Sequence, residues 1–181
     1  MKHSTELEHA LKNLRQLTGI TLDVKADTEE EEIQALTQIR CLCNAYQEKY
    51  NKTHFLQGLV TGTIPIYDIL ERAPRLHINL EERRILFLLK TKGSLDETIP
   101  EILKNLFPPQ THSYLVPLTE SSMVVLRPVK DSETENDFLQ IARTIVDTLN
   151  MEALSFIQVA YSGCFHSLSE CSEAYKSAYL A

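Results

Sequence analysis

The sequence predicts an α+β protein in which a mainly helical segment, residues 1–80, precedes a β-α-β-β-α-β-α domain, residues 81–181. Apolar residues recur at spacings of three and four through most of the first 80 positions, which is the helical period. Beyond residue 81, short β-branched and apolar runs alternate with helical stretches. Only five glycines and seven prolines occur, which is few for an all-β protein.

The first 25 residues predict a helix and then a short strand. The helix is indicated by three leucines spaced four and three apart between charged residues: Leu7, Leu11 and Leu14. Gly19 is expected to end it. The strand is indicated by apolar residues that alternate with polar ones: Ile20, Leu22 and Val24.

The next helix begins at a run of acidic residues and carries a candidate dimer seam. Asp27 and Thr28 are good N-caps, and the carboxylates of residues 29–32 suit a helix N-terminus. The seam consists of five residues spaced three and four apart: Leu36, Ile39, Cys43, Tyr46 and Tyr50. Two heptads leave open whether it packs on its own domain or on a second subunit. We expect a homodimer formed by helices of this first half.

Two further helices complete the first half. One begins at residues 51–53 and ends at Gly62, and the other has Pro65 in its first turn and Pro74 near its end. The second half reads as four strands and three helices. The strands are Arg84–Lys90, Ser113–Leu118, Met123–Val129 and Leu154–Tyr161, and the helices are Leu95–Phe107, one starting near Asp131, and one capped by Ser167. Two split β-α-β units in this order predict a ferredoxin-like sheet with helices on one face.

Charge and composition exclude several partners. The net charge is -7, so the surface repels nucleic-acid phosphates and anionic lipid, and we expect no direct DNA binding by this chain. No apolar run approaches the length of a membrane helix, and residues 1–10 do not resemble a secretory signal. Four cysteines are too few for a disulfide framework. We therefore expect a cytoplasmic protein without membrane contact.

No catalytic, cofactor-binding or metal-binding residue is predicted. The closest approach to such a site is the trio Cys164, His166 and Cys171, but zinc sites need two close pairs of ligands and only one occurs here. Glycine-rich phosphate loops are absent. We expect no cofactor and no enzymatic activity.

From about Asn51 onward the sequence resembles the central region of bacterial transcription regulators of the purine-catabolism and carbohydrate-diacid type. The resemblance rests on a leucine-rich helix ending in a small turn, on the strands at residues 84–89 and 123–128, and above all on the C-terminal part. There the strand Val159–Gly163 ends in glycine, and a helix with serine, tyrosine and alanine at set spacings follows at Leu168–Ala178.

The resemblance implies a degenerate relative of the diguanylate cyclase fold. A working cyclase carries Gly-Gly-Asp-Glu-Phe at its hairpin tip and an acidic residue just after the first strand. Here the tip is Leu118–Met123, with a single acid, and Lys90–Gly93 follows the strand. The metal ions on a nucleotide need those carboxylates, so the resemblance implies a non-catalytic regulatory and dimerisation region.

The family places a helix-turn-helix domain after this region, and this chain reaches only Ala181, so we expect the DNA-binding part to be absent from it. A small-molecule effector is compatible with this role, but the sequence does not identify one. Two alternatives stay open. The chain could be a nucleotide- or metabolite-binding protein of the cyclase-like fold, or a stand-alone protein-interaction module.

Overall fold

The structure, a computed structural model, describes residues 5–181 except for the side chains of Glu48 and Lys49. The chain divides into two compact units, Met1–His54 and Phe55–Ala181. The sequence placed the change of character later, between residues 80 and 81. The second unit therefore includes about 26 residues that the sequence assigned to the helical segment.

The first unit contains helix α1, Thr5–Thr18, and the first part of helix α2, Glu29–Thr61. Its small core is formed by four buried residues: Leu7, Leu14, Ile39 and Cys43. Both helices bury residues spaced three, four or seven apart, as an amphipathic helix does.

The strand expected at residues 20–24 does not form, and this prediction is wrong. Residues 19–28 are irregular, and the side chains of Ile20 and Leu22 are 56% and 39% exposed. A strand is stabilised by a partner strand, and none lies beside this segment among the described residues. Alternation of apolar and polar residues was therefore not sufficient to produce one.

Helix α2 is continuous, whereas the sequence predicted one helix through Tyr50 and a new one from Asn51. Residues 29–57 contain no glycine or proline, so nothing interrupts the backbone hydrogen bonds before the helix ends at Thr61. Gly62, with φ of +75°, ends the helix in the left-handed conformation that glycine adopts without strain.

The second unit continues with helix α3, and then alternates strands and helices. The elements are α3 Ile66–Arg75, β1 Glu81–Thr91, α4 Thr98–Leu106, β2 Tyr114–Thr119, β3 Ser122–Pro128, α5 Glu135–Glu152, β4 Ile157–Tyr161, β5 Phe165–Ser167 and α6 Cys171–Leu180. Strand β5 was not predicted. Strand β4 begins three residues later than expected, after Leu154, whose φ is 50°.

The strands form one antiparallel sheet in the order β2-β3-β1-β4, and β5 pairs with the beginning of β1. Helix α4 connects β1 to β2, and β3 lies between these two strands in the sheet. Helix α5 connects β3 to β4, and β1 lies between those two strands. These are two interlocked split β-α-β units, so the predicted α+β class and the ferredoxin-like order are confirmed.

Helices cover both faces of the sheet, which corrects the expectation of one covered face. Ile85 and Phe87 of β1 pack with α4 and α5, while Leu86 and Leu88 pack with α3, α6 and the end of α2. Because successive side chains of a strand point to opposite faces, the unbroken apolar run of residues 85–89 matches a strand buried on both sides.

Two capping boxes mark the start of α5 and the start of the helical segment that leads into α6. The Thr134 side chain accepts the backbone N–H of Asp137, whose carboxylate accepts the backbone N–H of Thr134, and Ser167 and Glu170 repeat the arrangement. These hydrogen bonds hold the pKa of both carboxyl groups below their usual range.

Among the described residues, no helix combines the length and apolar character needed to cross a bilayer.

Candidate functional site

The tip of the β2–β3 hairpin and the end of β1 form one surface, which we call the hairpin site: residues 90–93 and 119–122. Two backbone hydrogen bonds hold it together. The N–H of Thr91 donates to the carbonyl of Ser121 at 2.9 Å, and the N–H of Leu95 donates to the carbonyl of Glu120 at 2.6 Å. The hydroxyl oxygens of Thr119 and Ser122 lie 2.7 Å apart and close the two-residue turn.

The charged groups of the hairpin site are mainly cationic. The ammonium of Lys90 lies 3.6 Å from the ring centroid of Tyr179, and that of Lys92 lies 5.2 Å from the ring centroid of Phe156. Such contacts orient a lysine over an aromatic face. The only carboxylate in the site as defined is that of Glu120.

Asp96, three residues beyond the site, serves as a helix cap. Its carboxylate accepts the backbone N–H groups of Thr98 at 3.1 Å and Ile99 at 3.3 Å, at the start of α4. The hairpin site thus presents mainly lysines and hydroxyls, whereas a metal–triphosphate site uses carboxylates to hold the metal.

This combination of topology and hairpin agrees with a comparison against protein families. The family model described as a GGDEF-like domain (GGDEF_2) matches residues 61–181. The chain belongs to the GGDEF-like domain family. No curated protein and no solved structure matched the chain. The matched range begins at the end of α2 and includes α3, so it extends well before the first strand of the sheet.

The cysteine and histidine trio of the GGDEF-like domain does not converge on a reactive centre. Burial raises the pKa of the Cys171 thiol to about 12, despite the opposing effect of the Arg84 guanidinium, so this thiol stays protonated at neutral pH. Cys164 lies 3.8 Å from Nη2 of Arg83, and the exposed His166 donates its backbone N–H to Glu170. Within residues 5–181 as described, no three His, Cys, Asp or Glu side chains are grouped for metal binding.

The candidate dimer seam is divided into two parts. Ile39 and Cys43 are buried in the core of the first unit, and Leu36 packs partly against it. Tyr46 and Tyr50 are 42% and 58% exposed, and their rings are nearly parallel with centroids 6.5 Å apart. The first three seam residues are therefore used within the chain's own helical unit, and the two tyrosines present an exposed aromatic surface.

The sequence did not reveal that Arg84, a residue of strand β1 in the GGDEF-like domain, is a buried cation. Arg84 is fully buried, and its Nη2 donates to the carbonyl of Asn79 and to Oε2 of Glu82, both at 2.7 Å. Within the part of the chain that the structure describes, its Nε and Nη1 are buried without a hydrogen-bond partner. Burial raises the pKa of the neighbouring Tyr114, while Arg84 opposes that effect and Glu82 adds to it. An arginine directly before the apolar run was the available signal.

Proposed function

We propose that this chain is a non-catalytic regulatory and dimerisation region of a bacterial transcription regulator of the purine-catabolism and carbohydrate-diacid type. The observation that carries the proposal is the hairpin site. The fold belongs to the GGDEF-like family, but the turn that would hold metal and nucleotide consists of hydroxyl residues and one glutamate. A scaffold of this kind changes partners or conformation rather than driving a reaction.

The charges around the turn support this function. Phosphoryl chemistry on a nucleoside triphosphate depends on divalent ions that carboxylates hold in place. Here the carboxylate of Asp96 already caps α4, and Lys90 and Lys92 follow the strand. A lysine could contact a phosphate, but it cannot replace a carboxylate as a ligand of Mg²⁺.

Titration with GTP and magnesium tests the non-catalytic role. We expect calorimetry to detect no magnesium-dependent binding, because the hairpin site offers one carboxylate, that of Glu120, together with two lysines that repel a cation. The matched control is Glu120→Gln, which should behave as the wild type does. Magnesium-dependent binding by the wild type that Glu120→Gln abolishes would contradict the proposal and favour a nucleotide-binding protein.

The exposed aromatic surface of α2 supports the dimerisation role. Tyr46 and Tyr50 lie one turn apart, and Leu42, 52% exposed, lies one turn before them. Aromatic side chains are enriched in interfaces because they bury a large area with little loss of conformational entropy. We propose that this surface pairs with the same surface of a second copy.

Substitution of both tyrosines tests the pairing. We expect Tyr46→Ser with Tyr50→Ser to weaken self-association by at least about tenfold, equivalent to about 1.4 kcal/mol. Sedimentation equilibrium measures the dissociation constant. Tyr67→Ser is the matched control, because Tyr67 is 69% exposed on α3 and belongs to the other unit. An unchanged dissociation constant in the double variant would disprove this interface.

A further inference from the structure

A small cavity lies between α4 and α5 in the GGDEF-like domain, with a volume of about 220 Å³. It is lined by Leu106 and Phe107 at the end of α4, by Ile141 and Ile145 of α5, and by Arg127 near the end of β3. Arg127 is five positions along β3 from residue 122, a distance of about 17 Å. The cavity is therefore separate from the hairpin site.

The polar groups of this cavity leave one donor for a ligand. Among the described residues that line it, Arg127 alone carries a charge, and Thr111 and Thr144 contribute hydroxyl groups. The hydroxyl of Thr111 donates to the carbonyl of Pro108 at 2.8 Å, and that of Thr144 donates to the carbonyl of Gln140 at 2.9 Å. Because each hydroxyl has a single hydrogen, the guanidinium is the donor that remains.

The guanidinium of Arg127 is only partly paired. Its Nη2 donates to Oε1 of Glu133 at 2.6 Å. Its Nη1 is buried and, within the part of the chain that the structure describes, has no hydrogen-bond partner. A buried donor on a charged group is costly to leave unpaired, so an acceptor supplied by a ligand gains more there than at an exposed arginine.

Glu133 does not supply the missing acceptor. Burial opposes its ionisation, but hydrogen bonds from Arg127 and from the backbone of Lys130 outweigh that effect and hold the pKa of this carboxyl below its usual range. Its Oε2 accepts the N–H of Lys130 at 2.7 Å, so each carboxylate oxygen already accepts a hydrogen bond. An incoming anion can therefore approach Nη1 without displacing Glu133.

We propose that this cavity binds a small monocarboxylate with a compact apolar body, and that the ligand's carboxylate accepts a hydrogen bond from Nη1 of Arg127. A guanidinium is well suited to a carboxylate because its donors are planar and always charged. The apolar side chains of the cavity favour a ligand with a hydrocarbon part over a wholly polar anion. Pockets for drug-sized ligands occupy about 300–1,000 Å³, so this smaller cavity suits a single ring or a short branched chain.

Such a ligand serves as the effector of the proposed regulatory region, and this role rests on the proposed function. Binding itself does not, because no residue of the cavity belongs to the hairpin site or to the tyrosine surface of α2. If the cavity binds no carboxylate and GTP still shows no magnesium-dependent binding, the non-catalytic role remains and only the present inference is overturned.

Titration of the full chain, followed by methyl NMR, tests the binding with two probes, benzoate and 3-methylbutanoate. We expect at least one to bind with a dissociation constant of about 1 mM or lower. The methyl signals of Ile141 and Ile145 should shift, whereas those of Ile69, in the core on the other face of the sheet, should not. Binding of neither probe, or binding that leaves both cavity signals unchanged, would overturn the proposal.

The neutral amides of the two acids, benzamide and 3-methylbutanamide, test the contribution of charge. They have nearly the same shape but lack the negative charge, so we expect them to bind at least about tenfold more weakly. Equal affinity for acid and amide would count against a carboxylate site.

A substitution that fills the cavity tests its location. Thr144 is exposed on α5 and lines the cavity, so Thr144→Trp should weaken binding of the carboxylate at least about tenfold without unfolding the chain. Asn150→Trp is the matched control, because Asn150 is exposed on the same helix outside the cavity and should leave the affinity unchanged. Wild-type affinity in the Thr144→Trp variant would place the ligand elsewhere.

Removal of the ion pair tests the role of Arg127. Arg127→Met with Glu133→Gln leaves no unpaired charge behind, and we expect it to abolish the preference for the acid over the amide. Glu133→Gln alone keeps the guanidinium and should bind the carboxylate at least as tightly as the wild type does. A folded double variant that retains the preference would overturn the proposal, and Thr144→Trp keeps the test decisive if the double variant does not fold.

Discussion

A fragment of residues 81–181 is expected to remain unfolded, whereas a fragment of residues 55–181 is expected to fold cooperatively. The shorter fragment lacks the residues of α2 and α3, and of the loop after α3, that cover one face of the sheet. Six large apolar side chains, each no more than 5% exposed, would be lost from that core: Phe55, Leu56, Leu59, Val60, Ile69 and Ile78. The truncation also exposes Leu86 and Leu88 to water.

A comparison of free energies indicates whether the shorter fragment can fold. Burial of one such side chain stabilises a protein by about 1.5–3 kcal/mol. Loss of six is therefore comparable with the whole stability of a domain, about 5–15 kcal/mol. Near-ultraviolet circular dichroism and urea titration measure the result, with the 55–181 fragment as control. A cooperative urea transition in the 81–181 fragment would show that the boundary expected from sequence was adequate.

Glu82→Gln is expected to destabilise the protein by about 2–3 kcal/mol. The substitution removes the carboxylate that pairs with Arg84 at 2.7 Å, while the guanidinium stays fully buried. Among the described residues, Nε and Nη1 of Arg84 already have no hydrogen-bond partner, so the buried guanidinium depends on its remaining contacts, that with Glu82 among them. Glu82 is 34% exposed, which lets water reduce the cost below that of a wholly buried pair.

Chemical denaturation of the full chain measures this change. The matched control is Glu71→Gln, which breaks the exposed pair between Arg75 and Glu71 and should cost less than about 1 kcal/mol. A further variant, Glu82→Leu with Arg84→Met, replaces the ion pair by apolar groups and should recover much of the loss. Equal effects of Glu82→Gln and Glu71→Gln would show that burial of Arg84 does not make its partner important.

The candidate sites were predictable to different degrees. That the hairpin tip carries a single carboxylate, Glu120, was evident from sequence, because residue identity does not depend on the fold. The dimer seam was only partly predictable. Its spacing identified one face of a helix, but periodicity does not reveal that Ile39 and Cys43 face α1 while Tyr46 and Tyr50 remain exposed.

Elements that local interactions specify could largely be predicted from the sequence. The hairpin and the last helical segment, which starts after Ser167, were predictable because their turn and cap involve residues no more than four positions apart. Helix α5 was expected from near Asp131 but begins at Glu135, where Thr134 and Asp137 form the capping box.

The partner that covers each apolar surface became evident only in the folded protein. It placed Phe55 under the sheet, left Ile20 exposed and put helices on both faces. Burial depends on contacts between residues far apart in the chain, and a pattern within one segment shows that a face is apolar without showing which partner covers it.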